Sequence, residues 1–114
     1  MAKASRTKAI NNLYNFIFSL KDKCDSINDI NKDLIMQYSR FTVLASEMSR
    51  DIQDGLDKLD DKTMDSRIAL YKEFNKISVG LYKTLKFDNL KDDLKDDKNP
   101  YLALMKEAAD DDDL

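Results

Sequence analysis

Turn-forming residues are scarce in this chain: its 114 residues include two glycines, Gly55 and Gly80, and a single proline, Pro100. A β-sandwich or a barrel needs a turn about every 8–12 residues, and glycine and proline are among the usual turn formers. A few long helices need far fewer turns. Because 42% of the residues are apolar, the chain also has enough hydrophobic surface for a core. The sequence therefore predicts a small all-α protein.

The first predicted helix covers residues 5–27, with Ser5 or Thr7 as its N-cap. Apolar residues recur along it at the i, i+3, i+4, i+7 spacing of one buried helix face. They are Ile10, Leu13, Tyr14, Ile17, Leu20, Cys24 and Ile27. Because Cys24 lies on this face, we interpret it as a core side chain and not as a reactive thiol.

Two longer helices are predicted after it. The second starts near residues 28–31 and ends near Leu59, or at Gly55 if that glycine terminates it. The third runs from an N-cap at Thr63 or Asp65 to Leu85. Their apolar faces are Leu34, Tyr38, Phe41, Leu44, Ala45, Met48, Ile52 and Leu56 in the second, and Ile68, Tyr71, Phe74, Ile77, Leu81 and Leu85 in the third. The sequence thus predicts a three-helix core domain over residues 1–87.

Residues 88–114 are predicted to form an acidic tail that carries a short helical element. Leu90 and Leu94 are the only apolar residues of the segment 88–98, so we expect it to tether and not to pack. Asn99 and Pro100 then look like a cap and a first helical position. The apolar residues that follow are Tyr101, Leu102, Leu104, Met105 and Ala108. They either pack on the chain's own core or enter a groove on a partner, and the sequence leaves both possibilities open.

The composition argues against most catalytic and metal sites. The chain has no histidine, one cysteine and two glycines. It therefore lacks the residues of a Ser-His-Asp triad, a cysteine-based zinc site or a glycine-rich phosphate loop. We expect no enzymatic activity, no metal and no cofactor. No apolar run approaches the ~18 residues of a membrane span, and the basic N-terminus lacks the apolar stretch of a signal peptide, so we expect no membrane partner and a cytoplasmic location.

Charge is distributed unevenly along the chain. Residues 1–50 carry a net charge of +3 and residues 51–114 a net charge of −6. No acidic residue precedes Asp22, whereas four aspartates nearly close the chain. A basic head of this kind favours contact with phosphates. The candidate DNA-binding residues are Lys3, Arg6, Lys8, Lys21 and Lys23, and the alternative is an ordinary solvated N-terminus.

The order of these features resembles the small terminase subunit of tailed bacteriophages. The likeness rests on Asp33, Leu34, Tyr38 and Phe41 in the segment NKDLIMQYSRF, which starts the long second helix after a basic segment and a short helix. A third helix and an apolar element follow, so that the likeness covers roughly residues 8–108. Residues 85–91 stand where many members of that family carry a Gly-Leu-x-Pro segment.

The resemblance implies a non-enzymatic component of viral DNA packaging. Such a protein forms a homo-oligomeric ring, binds double-stranded viral DNA at the packaging site and regulates the large terminase subunit in the host-cell cytoplasm. Within such a protein, the basic head predicted from charge would contact the DNA, and the apolar element would contact the large subunit through Pro100, Tyr101, Leu102, Leu104 and Met105. The alternative is a small helical regulatory protein that acts only by protein–protein binding.

Overall fold

A computed structural model describes residues 3–94, and within them the chain forms helices and turns without any strand. The main helices are α1 (Lys3–Phe18), α2 (Lys32–Gly55) and α3 (Asp61–Thr84), and a short helix α4 (Lys91–Leu94) follows. Single turns of 3-10 helix lie at Lys21–Lys23, Asp29–Asn31 and Phe87–Leu90. The predicted all-α fold, with long second and third helices and a short C-terminal helix, is confirmed.

Helices α2 and α3 pack side by side as an antiparallel hairpin. The rings of Tyr38 and Tyr82 lie 6.3 Å apart. Further along α2, the hydroxyls of Thr42 and Ser78 are 2.7 Å apart. Still further, Arg67 Nη1 lies 3.5 Å from an oxygen of Asp51. Residue numbers thus rise along α2 as they fall along α3, which fixes the antiparallel direction of the pair.

Side-chain caps start α3 and the 3-10 turn that leads into α2. The amide oxygen of Asn28 accepts a hydrogen bond from the Asn31 backbone N–H at 3.0 Å, which begins the 3-10 turn that leads into α2. A carboxylate oxygen of Asp60 accepts one from the Thr63 backbone N–H at 2.8 Å. The hydrogen bonds from Thr63 hold the pKa of Asp60 below its ordinary value. The cap of α3 is therefore Asp60, and the prediction of Thr63 or Asp65 is wrong.

Two helices are shorter than the apolar periodicity predicts. Helix α1 ends at Phe18, not near residue 27, and the chain then turns so that Cys24 and Ile27 are buried from outside the helix. Helix α2 ends at Gly55, which confirms the second of its two predicted ends and not the one near Leu59. Gly55 has no positive φ, so it does not act as a left-handed C′ residue. Its missing Cβ leaves room for the side chain of Leu59, which folds back onto it.

The buried core lies at one end of the hairpin. It combines α1 and the turn that follows it, the first half of α2, and the segment after α3. Its members are Ala9, Leu13, Ile17, Cys24, Ile27, Ile35, Tyr38, Val43, Leu85, Phe87 and Leu90. Aromatic rings pack at the centre of the core. The ring centroid of Phe87 lies 5.2 Å from that of Tyr38 and 6.1 Å from that of Tyr82, edge-on in both pairs.

The chain re-enters the core after α3. Lys86 adopts a left-handed conformation with φ 55°, and this reversal sends the 3-10 turn Phe87–Leu90 back against the core. Leu90 is 0% exposed, and Leu94 packs against the same cluster. The prediction that Leu90 and Leu94 do not pack is therefore wrong, and the core continues past Phe87. A residue's burial here depends on tertiary contacts, which local composition does not report.

A polar clasp fixes the turn after α1 to the end of α3. The Ser26 hydroxyl donates a hydrogen bond to the carbonyl oxygen of Leu85. The Sγ atom of Cys24 lies 3.0 Å from the same hydroxyl and 3.8 Å from that carbonyl. Cys24 is buried, as its place on the apolar stripe predicted.

Candidate nucleic-acid interface

The basic residues of α1 do not form one cationic surface. Arg6 and Lys8 are separated by about 160° around the helix axis. Arg6 faces α2, where its guanidinium binds Glu47 through two hydrogen bonds, Nε to Oε2 at 2.7 Å and Nη2 to Oε1 at 2.6 Å. Lys8 is exposed. Lys3 lies in the first turn of α1, and its side chain is outside the described part of the structure.

The Arg6–Glu47 pair is an internal ion pair between α1 and α2. The side chain of Glu47 is 10% exposed and that of Arg6 is 38% exposed. The hydrogen bonds from Arg6 lower the pKa of Glu47, against the opposing effect of burial. Glu47 therefore stays ionised at neutral pH, and the charge of Arg6 is largely offset within the protein.

The second part of the predicted DNA-binding set lies on the 3-10 turn Lys21–Lys23. Lys21 is exposed, whereas Lys23 Nζ lies 2.7 Å from an oxygen of Asp93. Of the five residues, then, the structure gives carboxylate partners to Arg6 and Lys23 and leaves Lys8 and Lys21 exposed on separate elements. The assignment of these residues to DNA contact stays a prediction.

A different group of cations shares one face of α3. Lys72, Lys76 and Lys83 lie within about 40° of one another around the helix, and all three are exposed. Among the residues that the structure describes, none of them forms a salt bridge. We call these three residues the lysine stripe. Between residues 66 and 87 the sequence has five basic side chains and only one acidic side chain, Glu73. This local excess is the signal in the sequence that could have found the stripe.

Another side of the α2–α3 hairpin is apolar, and the rest of the protein covers it only in part. Phe41 and Phe74, expected in the core, lie with their ring centroids 6.0 Å apart, but both are only half-buried and neither belongs to the core cluster. Leu70 is 43% exposed. The residues that share this surface are Phe41, Leu44 and Met48 of α2 with Leu70, Phe74 and Ile77 of α3, and we call it the hairpin face.

A shallow groove of mixed character runs along the other side of the hairpin. The residues that line it and carry hydroxyl or amide groups are Thr42, Ser46 and Ser49 of α2 and Tyr71, Asn75 and Ser78 of α3. Thr42 and Ser78 already hydrogen-bond to each other across it. These groups can bind a polar ligand by hydrogen bonds, but they do not form a nucleophile with an adjacent general base.

Neither a metal-binding cluster nor a membrane-spanning helix is present within the residues that the structure describes. Within residues 3–94, no three Cys, Asp or Glu side chains converge in a way that could hold a metal ion. Across that range, no helix combines the length and the hydrophobicity that a bilayer-spanning segment requires. The predicted partner-binding residues Pro100, Tyr101, Leu102, Leu104 and Met105 lie outside the described residues.

Comparison with protein-family models, with curated protein sequences and with solved structures finds no significant match to this chain. Function must therefore be argued from the surfaces themselves.

Proposed function

We propose that this protein is a non-enzymatic adaptor of viral DNA packaging, of the small terminase kind. In this proposal it assembles into a homo-oligomeric ring, binds double-stranded viral DNA at the packaging site and regulates the large terminase subunit in the cytoplasm of the host cell. The observation that carries the proposal is the uncovered hairpin face. The lack of histidine supports a binding role over catalysis.

The hairpin face favours self-association because a two-helix layer cannot bury its own apolar surface. The core covers the half of the hairpin next to α1, whereas Leu70, Phe74 and Ile77 of α3 lie outside the core cluster and its packed neighbours. Contiguous exposed apolar surface of this kind marks interaction sites on folded proteins. The face contains residues of both helices. A contact of the whole face with its own copy would be two-fold and give a dimer, so the proposed ring requires α2 of each subunit to contact α3 of the next subunit around the ring.

The assembly is tested by light scattering coupled to size-exclusion chromatography of the full chain. We expect a mass of several subunits for the native protein. Leu70→Lys together with Ile77→Lys places two charges on the hairpin face and should give a smaller species. The matched control is Leu56→Lys, because Leu56 is 61% exposed at the tip of the hairpin, outside the face. A monomeric native protein would contradict the proposal.

DNA binding separates this proposal from the protein-only alternative. Fluorescence anisotropy with a labelled duplex, repeated over a range of salt concentrations, measures both affinity and salt slope. An oligomer that binds duplex DNA supports the packaging adaptor. An oligomer that binds no DNA at low salt supports a regulator that acts through proteins alone.

Regulation of the large subunit is assigned to the C-terminal residues Pro100, Tyr101, Leu102, Leu104 and Met105. Cutting the chain after Lys98 should leave the melting temperature and the oligomer unchanged, because the core that the structure describes within residues 3–94 lies entirely upstream of the cut. The same truncation should abolish stimulation of the large subunit's ATPase. If truncation lowers the melting temperature clearly, the element packs on the core and the docking role is wrong.

A further inference from the structure

The lysine stripe, Lys72, Lys76 and Lys83, lines up along the axis of α3. At about 1.5 Å rise per residue, its ammonium-bearing positions span about 16 Å of helix. Double-stranded DNA carries a phosphate about every 3.4 Å per strand along its axis. The stripe is therefore long enough to lie across several phosphates while remaining part of one rigid helix.

Small residues flank the lysine stripe on one side. Ala69 and Gly80 lie on the same side of α3, and a Cβ placed on Gly80 would meet no atom within 4 Å. A glycine in the middle of a helix lowers its stability, so this position gives up helix propensity at an exposed site. The small residues on this side let the lysine side chains approach a large, stiff ligand, whereas the bulkier Tyr71 and Val79 lie on the other side of the stripe.

Among residues 3–94, the charges of the stripe are not offset by internal carboxylates, in contrast to those of Arg6 and Lys23 in the basic head. Arg6 is bound to Glu47 and Lys23 to Asp93, so an anion must compete with an internal carboxylate for each of them. Within the described residues, Lys72, Lys76 and Lys83 have no salt bridge to break. Their one acidic neighbour in the segment 66–87 is Glu73.

From these observations we infer that the lysine stripe of α3 is the principal contact of this protein with the phosphate backbone of double-stranded DNA. The inference rests on the proposed function, and it moves the main DNA contact from the N-terminal residues to the third helix. Contact of this type is independent of base sequence, and it positions the duplex without reading it. A ring of subunits would repeat the stripe and multiply its charge.

The same stripe does not suit an anionic membrane. A helix that lies in a membrane interface needs a large apolar face flanked by cations. Here the large apolar side chains close to the stripe are Val79, at 42% exposure, and Ile77, which lines one surface depression with Lys72 and Lys76. Leu70 and Phe74 of the hairpin face lie about 120° or more around the helix from the lysines, so the stripe does not flank the whole apolar face.

The test compares three full-length triple variants by anisotropy with a labelled 30-base-pair duplex. The stripe variant carries Gln at Lys72, Lys76 and Lys83. The head variant carries Gln at Lys3, Arg6 and Lys8. The control removes the same charge from exposed sites elsewhere, at Lys32, Lys58 and Lys91. Circular dichroism first establishes that all three fold, and gel filtration that all three keep the native mass.

We expect the stripe variant to lose at least tenfold in affinity at 100 mM salt. Its salt slope should flatten by about 0.9 for each lost contact, or about 2.7 for each engaged subunit. The head variant and the control should change the affinity by less than threefold. If the native protein binds DNA and the stripe variant binds equally well with an unchanged slope, the inference is overturned while the proposed function stands. If the native protein binds anionic lipid vesicles but no DNA, both are overturned.

Discussion

Glu47 holds the guanidinium of Arg6 through both of its carboxylate oxygens, across 41 residues of chain. The pair fastens α1 to the middle of α2, close to the start of the half of the hairpin that the core does not cover. Two further cross-links act at the other end of the protein, where Lys23 meets Asp93 and Ser26 meets Leu85. The packing of α1 thus depends on polar contacts at both ends of a small apolar core.

Removing Arg6 should loosen α1. Arg6→Met keeps the apolar stem but deletes two charged hydrogen bonds to Glu47, so the melting temperature should fall, moderately because solvent screens an exposed guanidinium. Combining it with Glu47→Gln should cost less than the sum of the two single changes, since both remove the same interaction. Lys8→Met, on the opposite side of α1, is the control and should leave the melting temperature unchanged. Strict additivity of Arg6→Met and Glu47→Gln would contradict the pairing.

Glu47 should make stability depend on pH in the acid range. Its pKa is lowered in the folded state, mainly by hydrogen bonding to Arg6, and the unfolded value is about 4.3. Its contribution is therefore fully present above the unfolded pKa and is lost as the pH falls through the lower, folded pKa. The difference in melting temperature between native protein and Glu47→Gln should be largest at pH 7 and should shrink toward pH 3. A difference that stays constant over this range would show that the carboxylate is not selectively stabilised.

Leu90 should behave as a core residue. It is fully buried, so Leu90→Ala should cost about 2–5 kcal/mol in the free energy of unfolding by urea. Leu56→Ala deletes the same atoms from an exposed position and should change it by less than about 0.5 kcal/mol. Equal effects of the two substitutions would restore the interpretation of residues 88–98 as a tether that does not pack.

The two glycines should respond differently to alanine. Gly80→Ala gains helix propensity in open space, so it should raise the free energy of unfolding by about 1 kcal/mol. Gly55→Ala should gain less or lose, because its new methyl group would displace the side chain of Leu59. Thermal unfolding of both variants measures the contrast. An increase of the same size at Gly55 would show that Leu59 moves away without penalty.

The local sequence predicted the three main helices, but it did not fix where each of them ends. The apolar spacing identified α1, α2 and α3, because one buried face recurs at the helical period. Cys24 and Ile27 continue that spacing beyond Phe18, yet they reach the core through a turn. A periodic pattern reports burial, and a chain can bury successive side chains without remaining helical.

The candidate binding surfaces could be predicted less well than the helices, because the fold pairs some basic side chains with carboxylates that are distant in sequence. Arg6 and Lys23 stand in the most basic part of the sequence, but Glu47 and Asp93 lie 41 and 70 residues away and meet them in the fold. The lysine stripe sits inside a half of the chain whose net charge is negative. Its residues became a candidate only when their shared face and their lack of ion pairs within residues 3–94 were visible.

The clasp between Ser26 and Leu85 has a consequence for the order in which the protein can fold. The α2–α3 hairpin joins segments that are adjacent in sequence, so a short loop closes it and little chain entropy is lost. The core instead joins residues 9–27 to Leu85, Phe87 and Leu90. A chain emerging from the ribosome N-terminus first cannot complete that core until Leu90 has left the exit tunnel. Until then Tyr38 of α2 has no Phe87 to pack against, and the nascent protein contains the hairpin without a complete core.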